Sequence, residues 1–332
     1  KQTIEPWCIS WYSLFESPKE RLHLRSVRIG MMLLMAGPLI QNDLLRRLEQ
    51  LELLARRRVR SSLKGERRSK ARGQSVEFAD HRNYVAGDDL RYLDWNLFGR
   101  LDRLFLKLYE EERELPLSIF LDASESMTFG KPVKFDFARQ VAAAMGYVAL
   151  CGFDRVTVDV FPENTEETAI RQSLRRVRGK KSALQFFRNL GQLNAGGDCR
   201  LNEALKKGAL QAKQSGVAIV ISDFMDPEGY EEGLRALLGR GFQVQVLMVL
   251  AREELEPSVY GDLKVVDSEN GSTQEVTFGK YRLKAYQKTV NAYLEQFKNF
   301  CRMRGIGFNL TPSDSDLDQL LLTDLRKAML WK

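Results

Sequence analysis

Hydrophobic and polar positions along the 332 residues fall into three regimes. From Asp43 to Arg60, Leu44, Leu45, Leu48, Leu51, Leu54 and Val59 recur at helical spacing with Arg and Glu between them, which predicts an amphipathic helix. Residues 73–116 carry two strand-like pieces, Ser75–Ala79 and Leu104–Tyr109, around a polar stretch from Tyr84 to Trp95. After 116, short apolar runs alternate with helical periods. Strands are predicted at Leu117–Asp122, Arg155–Phe161, Val217–Ser222, Phe242–Leu250 and Gly307–Thr311. Helices are predicted at Lys134–Leu150, Ser182–Leu193, Leu201–Gln214, Tyr230–Leu238, Tyr281–Arg304 and Asp316–Leu330. A short antiparallel strand near Ala169–Ser173 and a hairpin over Gly261–Phe278, turning at Glu269-Asn270-Gly271, complete the pattern.

Strands alternating with helices in this way predict an α/β fold with a doubly wound, mostly parallel, Rossmann-type sheet. A short β region and an N-terminal helix precede it. The organisation that follows is an N-terminal extension (1–41), the amphipathic helix and a basic segment (42–72), and a small β region (73–116). The α/β domain then spans 117–330, with a hairpin insertion at about 261–279. Residues 1–30 show no clear period and read as an upstream extension, with Met31 or Met32 as an alternative start. The longest apolar run, Ile29–Ile40, contains Gly and Pro and falls short of the length that crosses a bilayer.

Composition narrows the class. At 44% hydrophobic and 10% aromatic, the chain has the material for a sizeable core. Its four cysteines, Cys8, Cys151, Cys199 and Cys301, are widely scattered and form no C-x-x-C pair. That excludes a zinc ribbon or a disulfide scaffold and suits a reducing, cytoplasmic setting. Only His23 and His81 are present, too few for histidine-rich metal chemistry. The net charge of +7 is concentrated between Arg56 and Arg72, where nine Lys and Arg face Glu66 alone. This segment is a candidate surface for nucleic acid or another polyanion. It has no interleaved aromatics for base stacking and no recognised nucleic-acid module, and docking of a protein partner through Arg56, Arg57, Arg58 and Arg60 or a merely solvated flank stand beside that reading.

The densest chemical signal is Asp122-x-Ser124-x-Ser126, which closes the apolar run Leu117-Ser-Ile-Phe-Leu. Just past a strand, this spacing aims one carboxylate and two hydroxyls at one point. Hard oxygen donors of this kind suit Mg²⁺, which takes few protein ligands and keeps several waters. Asp223 closes a second strand, Val217-Ala-Ile-Val-Ile-Ser, and Gly196-Gly-Asp-Cys-Arg-Leu201 opens a helix between the two. Three loops are thus expected at one rim, with Asp122, Ser124, Ser126, Asp198 and Asp223 as candidate metal ligands. The plain alternative is that these groups cap helices and turns.

The Asp-x-Ser-x-Ser pattern resembles the metal-ion-dependent adhesion site of von Willebrand factor A domains. There the second loop supplies a Thr, and the similar Gly-Gly-Thr-Asp-Leu has here become Gly-Gly-Asp-Cys-Arg-Leu, with Asp198 the expected replacement. The resemblance extends to Glu77-Phe-Ala-Asp-His-Arg-Asn-Tyr84, Gly87-Asp-Asp-Leu-Arg-Tyr-Leu-Asp-Trp-Asn96, Arg100 and Gly261-Asp-Leu-Lys-Val-Val-Asp267. With these the chain resembles the domain of unknown function 58 family over about residues 42–330. That resemblance implies a von Willebrand A-like domain and a non-catalytic adaptor that partners a MoxR-type AAA+ ATPase. The charges at Asp88, Asp89, Arg91, Asp94 and Arg100 read either as a binding surface or, the reading preferred, as a buried ion-pair network against the main domain.

Enzyme motifs are missing from the sequence. There is no G-x-S-x-G elbow, no H-E-x-x-H, no G-x-G-x-x-G and no P-loop. A Mg²⁺-dependent phosphohydrolase with Asp122 as nucleophile stays open on this topology. Ser124, where such an enzyme would want a second acid, argues against it.

Overall fold

The computed structural model describes residues 39–51, 76–111, 115–257, 261–266, 273–278 and 280–325. The chain divides into a small unit, Arg58–Glu114, and a larger one formed by all the rest.

In the larger unit the apolar runs form a six-stranded sheet. Its strands are β3 (Leu117–Asp122), β4 (Arg155–Phe161), β5 (Val177–Arg178), β6 (Val217–Ser222), β7 (Gln243–Leu250) and β10 (Gly307–Pro312). The spatial order is β10-β7-β6-β3-β4-β5, parallel throughout except for β5, which runs antiparallel to β4. Counted from β3, this is the order 3-2-1-4-5-6 of dinucleotide-binding folds, and the chain reverses direction across the sheet between β3 and β6. Leu117 pairs with Val217 and Leu121 with Ile221, so the two strands end side by side. Asp122 and Asp223 therefore emerge together at the switch point of the sheet.

Alternate residues of the central strands feed two cores, as a sheet covered on both faces requires. Leu117, Ile119, Leu121, Val217, Ile219 and Ile221 face α3 (Lys134–Cys151), α5 (Ala183–Gly191) and α1 (Asn42–Leu48). Phe120, Ala218, Val220, Val246 and Met248 face α6 (Leu201–Gln211), α7 (Glu231–Gly239) and the long α9 (Lys280–Arg304). Phe120 lies directly under α6. A Cβ on Gly208 would come within 2.2 Å of its ring, so only glycine lets the helix approach the strand this closely.

One expectation is corrected, and others are met over the described residues. Ala169–Ser173 belongs to a helix, α4 (Thr168–Ser173), and the antiparallel strand follows it at β5. Five residues without a clear period do not fix a strand when Arg171 can pair with Glu167 one helical turn away and donate to the carbonyl of Val160. The amphipathic helix is seen over Asn42–Leu48; its predicted continuation from 52, with Arg56, Arg57, Arg58 and Arg60, lies outside the described residues. The closing helix is seen as a short α10 (Leu317–Gln319) followed by a π-helical turn, Leu320–Asp324, and its predicted remainder, 326–330, lies outside the described residues. The predicted hairpin forms as β8 (Gly261–Val266) and β9 (Thr273–Phe278), with its turn outside the described residues.

The small unit is a hairpin of β1 (Val76–Asn83) and β2 (Phe105–Glu111) that carries α2 (Trp95–Leu101) in its connection. Asp94 caps α2 by accepting from the amides of Asn96 and Leu97, and its other oxygen meets His81 Nε2 at 2.9 Å. Of the charges expected to form an ion-pair network, Asp88, Asp89 and Arg91 have partners within this unit. Arg82 reaches Asp88 at 2.7 Å, and Arg91 wraps Asp89 on an exposed turn. Proximity in sequence is what makes these pairs, since each spans two to six residues.

Candidate functional site

Asp122 sits at the end of β3 with no solvent exposure. Its Oδ1 accepts from the amide of Ser124 at 2.9 Å, and its Oδ2 accepts from Ser222 Oγ at 2.6 Å. The turn this creates brings Ser124 Oγ to 3.1 Å from Ser126 Oγ, and Ser126 Oγ donates to Asp223 Oδ2 at 2.8 Å. Four of the five predicted ligands, Asp122, Ser124, Ser126 and Asp223, are thus joined in one hydrogen-bonded chain at the switch point. All four are buried, with Ser126 the most open at 6%.

Asp198 does not join them. The amide of Gly196 donates to Ala123 O at 2.7 Å, and the amide of Glu125 donates to Gly197 O at 2.9 Å. These two bonds fasten the second loop over the first, with Gly197 at φ +92 in the left-handed region. The resulting register turns Asp198 outward, where it is exposed along a cleft of about 410 Å³ beside Arg175 and Lys207. Cys199 takes the inward place, its Sγ 3.6 Å from Asp122 Oδ2. The extra residue in Gly-Gly-Asp-Cys-Arg-Leu is accommodated by moving the carboxylate out and a thiol in.

Two further charges complete the cluster. Lys134 is fully buried at the first turn of α3, and its Nζ donates to Asp223 Oδ2 at 2.8 Å and to Glu254 Oε1 at 2.7 Å. Glu254, on α8 (Arg252–Leu255), also accepts from the amide of Ala251 at 2.7 Å. Sequence reasoning passed over both. A signal existed for Lys134, because a cation in the first turn of a helix opposes the helix dipole and needs an anion to justify it. Nothing distinguishes Glu254 from Glu253 beside it. Asp226, in the same loop as Asp223, caps the start of α6 through the amide of Leu201 at 2.7 Å.

Burial and neighbouring charge divide the two central carboxylates. Burial, reinforced by the charge of Asp223, pushes Asp122 up to about 6, against the hydrogen bonds of Ser222 and Ser124. Burial acts on Asp223 in the same sense, but the Lys134 ammonium outweighs it and holds Asp223 below the usual carboxylate range. Lys134 is raised, since Asp223 and Glu254 overcome the burial that would discharge it. Glu254 is raised by burial. Burial also pushes up the Cys199 thiol, with Asp122 and Asp223 adding to the effect, so the thiol stays protonated.

The donor chemistry suits a hard divalent ion. Ligands at right angles around Mg²⁺ stand about 3 Å apart, given bonds of about 2.1 Å, and the two serine hydroxyls have that separation. Both oxygens of Asp122 and of Asp223 already accept hydrogen bonds, so their charge supports a cation held beside the hydroxyls. With all groups ionised, Asp122, Asp223 and Glu254 against Lys134 leave two negative charges, which one divalent ion offsets. Among the described residues no three Asp, Glu, His or Cys side chains form a ready-made cage. The fit rests on hydroxyls.

The family described as "Protein of unknown function DUF58" matches residues 80–295, most of the chain and the whole of this rim. The chain belongs to that family. Over 275 residues this DUF58 protein is 26% identical to the uncharacterized proteins Rv1480 of Mycobacterium tuberculosis and Mb1516 of Mycobacterium bovis, covering 82% of this chain and 85% of theirs. Among solved structures it is similar to the conserved hypothetical protein BatB from Bacteroides thetaiotaomicron. That match has 15% identity and a TM-score of 0.38, and covers 65% of this chain and 99% of BatB. An aerotolerance-related membrane protein from Bacteroides fragilis matches at 17% identity with the same TM-score, covering 65% of this chain and 98% of its own. Among the described residues of the DUF58 chain, no helix is long and apolar enough to cross a membrane.

Proposed function

We propose that this DUF58 protein is a non-catalytic, von Willebrand A-like interaction module whose switch-point rim holds Mg²⁺. The observation that carries the reading is the chain Asp122–Ser124–Ser126–Asp223, which brings two hydroxyls and two carboxylates from β3 and β6 to one point. Ser124 and Ser126, backed by Asp122 and Asp223, would hold the ion, which supplies a Lewis-acidic position for a partner's carboxylate. Cys199 adds no carboxylate where Asp198 was expected, so the rim keeps the lower negative charge that admits an acidic ligand. The partner proposed, on family resemblance, is a MoxR-type AAA+ ATPase in the assembly or maturation of a protein complex.

A phosphohydrolase is the weaker reading. A nucleophilic Asp122 would have to present a free oxygen to phosphorus, whereas both of its oxygens accept hydrogen bonds in a fully buried position. Calorimetric titration of Mg²⁺ and Mn²⁺ into chelator-treated protein tests the proposal. One site is expected, lost in Asp122→Ala and in Ser124→Ala/Ser126→Ala. Undiminished binding in these variants removes it.

A further inference from the structure

Lys134 is the one cation among the described residues that is wholly enclosed with the rim's acids. It is also the group to which the proposed binding role gives no task. Its surroundings show what it does. Asp223 Oδ2 receives two donors, Ser126 Oγ and Lys134 Nζ, each at 2.8 Å, which fills both lone pairs of that oxygen. Glu254 holds the ammonium from the other side at 2.7 Å and is itself fixed by the amide of Ala251. A positive charge is therefore built permanently into the cluster at the same carboxylate that would back a metal ion.

We infer that Lys134 is the affinity-setting residue of the rim: a resident cation that competes with a divalent ion for Asp223. This rests on the metal reading above. Two consequences follow from simple electrostatics. The ammonium neutralises Asp223 when no ion is bound, so the serine turn keeps its geometry without metal. It also repels a dication brought to the neighbouring hydroxyls, which makes binding weak and reversible. The rim is then suited to take and release an ion together with its partner, instead of using it as a structural staple.

The test compares Mn²⁺ affinity by calorimetry, and melting temperature in EDTA and in Mn²⁺, for the full chain and for Lys134→Met. The variant is expected to melt lower in EDTA, to bind Mn²⁺ at least tenfold more tightly, and to gain more in melting temperature from Mn²⁺ than the parent does. Should Lys134→Met not fold in EDTA, the double variant Lys134→Met/Glu254→Gln keeps the net charge of the parent cluster while freeing Asp223. Tighter binding there supports competition at Asp223, and affinity equal to the parent's overturns it. Binding that is lost in Asp122→Ala but unchanged or weakened in folded Lys134→Met overturns the inference alone. Absence of Mn²⁺ binding in the parent and both Lys134 variants removes the metal reading, and the inference with it.

Discussion

Two regions of this protein are dense in charge, and they handle it in opposite ways. At the switch point, Asp122, Asp223, Glu254 and Lys134 are withdrawn from water and coupled by bonds that span many residues, 89 between Lys134 and Asp223 and 120 between Lys134 and Glu254. In the small unit, Arg82 pairs with Asp88 and Arg91 with Asp89 within six residues, the latter pair in contact with solvent, and Asp94 reaches back 13 residues to His81. Buried charge is costly to leave unpaired, and exposed charge is screened. The first arrangement therefore depends on the whole fold and answers strongly to a single change. The second shapes a turn and should answer weakly.

The sharpest way to break this contrast is to strand the buried acids. Lys134→Ala leaves Asp223 and Glu254 without a counter-charge and is expected to cost about 3–5 kcal/mol in urea unfolding. A loss below about 1 kcal/mol would mean that water or local movement relieves the cluster, and the contrast would fail. Next in size is the effect of pH through Asp122. Its folded value of about 6 lies above an unfolded value of about 3.9, so the folded state binds more protons between the two. Its contribution to stability is complete below about pH 4 and lost by about pH 6, a fall of roughly 3 kcal/mol at most in chelator. Asp122→Asn should flatten that slope; an unchanged slope assigns it to another group.

How much of this was legible in sequence follows the same division. The strands β3, β6 and β7 were readable because runs such as Val217-Ala-Ile-Val-Ile are buried on both faces, and β4 because Val156, Val158 and Val160 alternate with polar residues. Placing Asp122 and Asp223 at one rim followed from the alternation alone. What was not legible depended on register. Asp198 and Cys199 are adjacent, and only two backbone bonds to Ala123 and Glu125 decide which one faces inward. The Lys134–Glu254 pair joins elements distant in the chain, and no local period encodes it. The helix at Thr168–Ser173 was misread for the opposite reason, since its segment is too short to show a period and is set by Arg171 reaching back to β4.

Between the extremes lies Asp94, which belongs to the small unit yet is itself mostly buried. It caps α2 through two amides and meets His81. Asp94→Ala is expected to cost about 1–2 kcal/mol of that unit's stability, with hydrogen exchange accelerating over Trp95–Leu101 first. Asp94→Asn keeps a capping oxygen and should recover most of the loss. If Asp94→Asn is as damaging as alanine, the His81 pairing and not the cap carries the effect.

The smallest effect is predicted for the most conspicuous charges in the family-like run, Asp89 and Arg91. Their side chains are 40% and 69% exposed, and the guanidinium lies along the carboxylate, its Nε 2.9 Å from both oxygens and its Nη2 on Oδ2. The geometry is good, but water and salt compete on every open side, so the pair should contribute less than about 1 kcal/mol. Asp89 also accepts from the amide of Arg91, and that turn bond is lost in Asp89→Ala but kept in Arg91→Ala. The double-mutant cycle should therefore show Asp89→Ala as the slightly larger change and a coupling that fades at high salt. A coupling of 2 kcal/mol or more, insensitive to salt, would show that the exposed turn is held as the buried rim is, and would erase the distinction between the two regions.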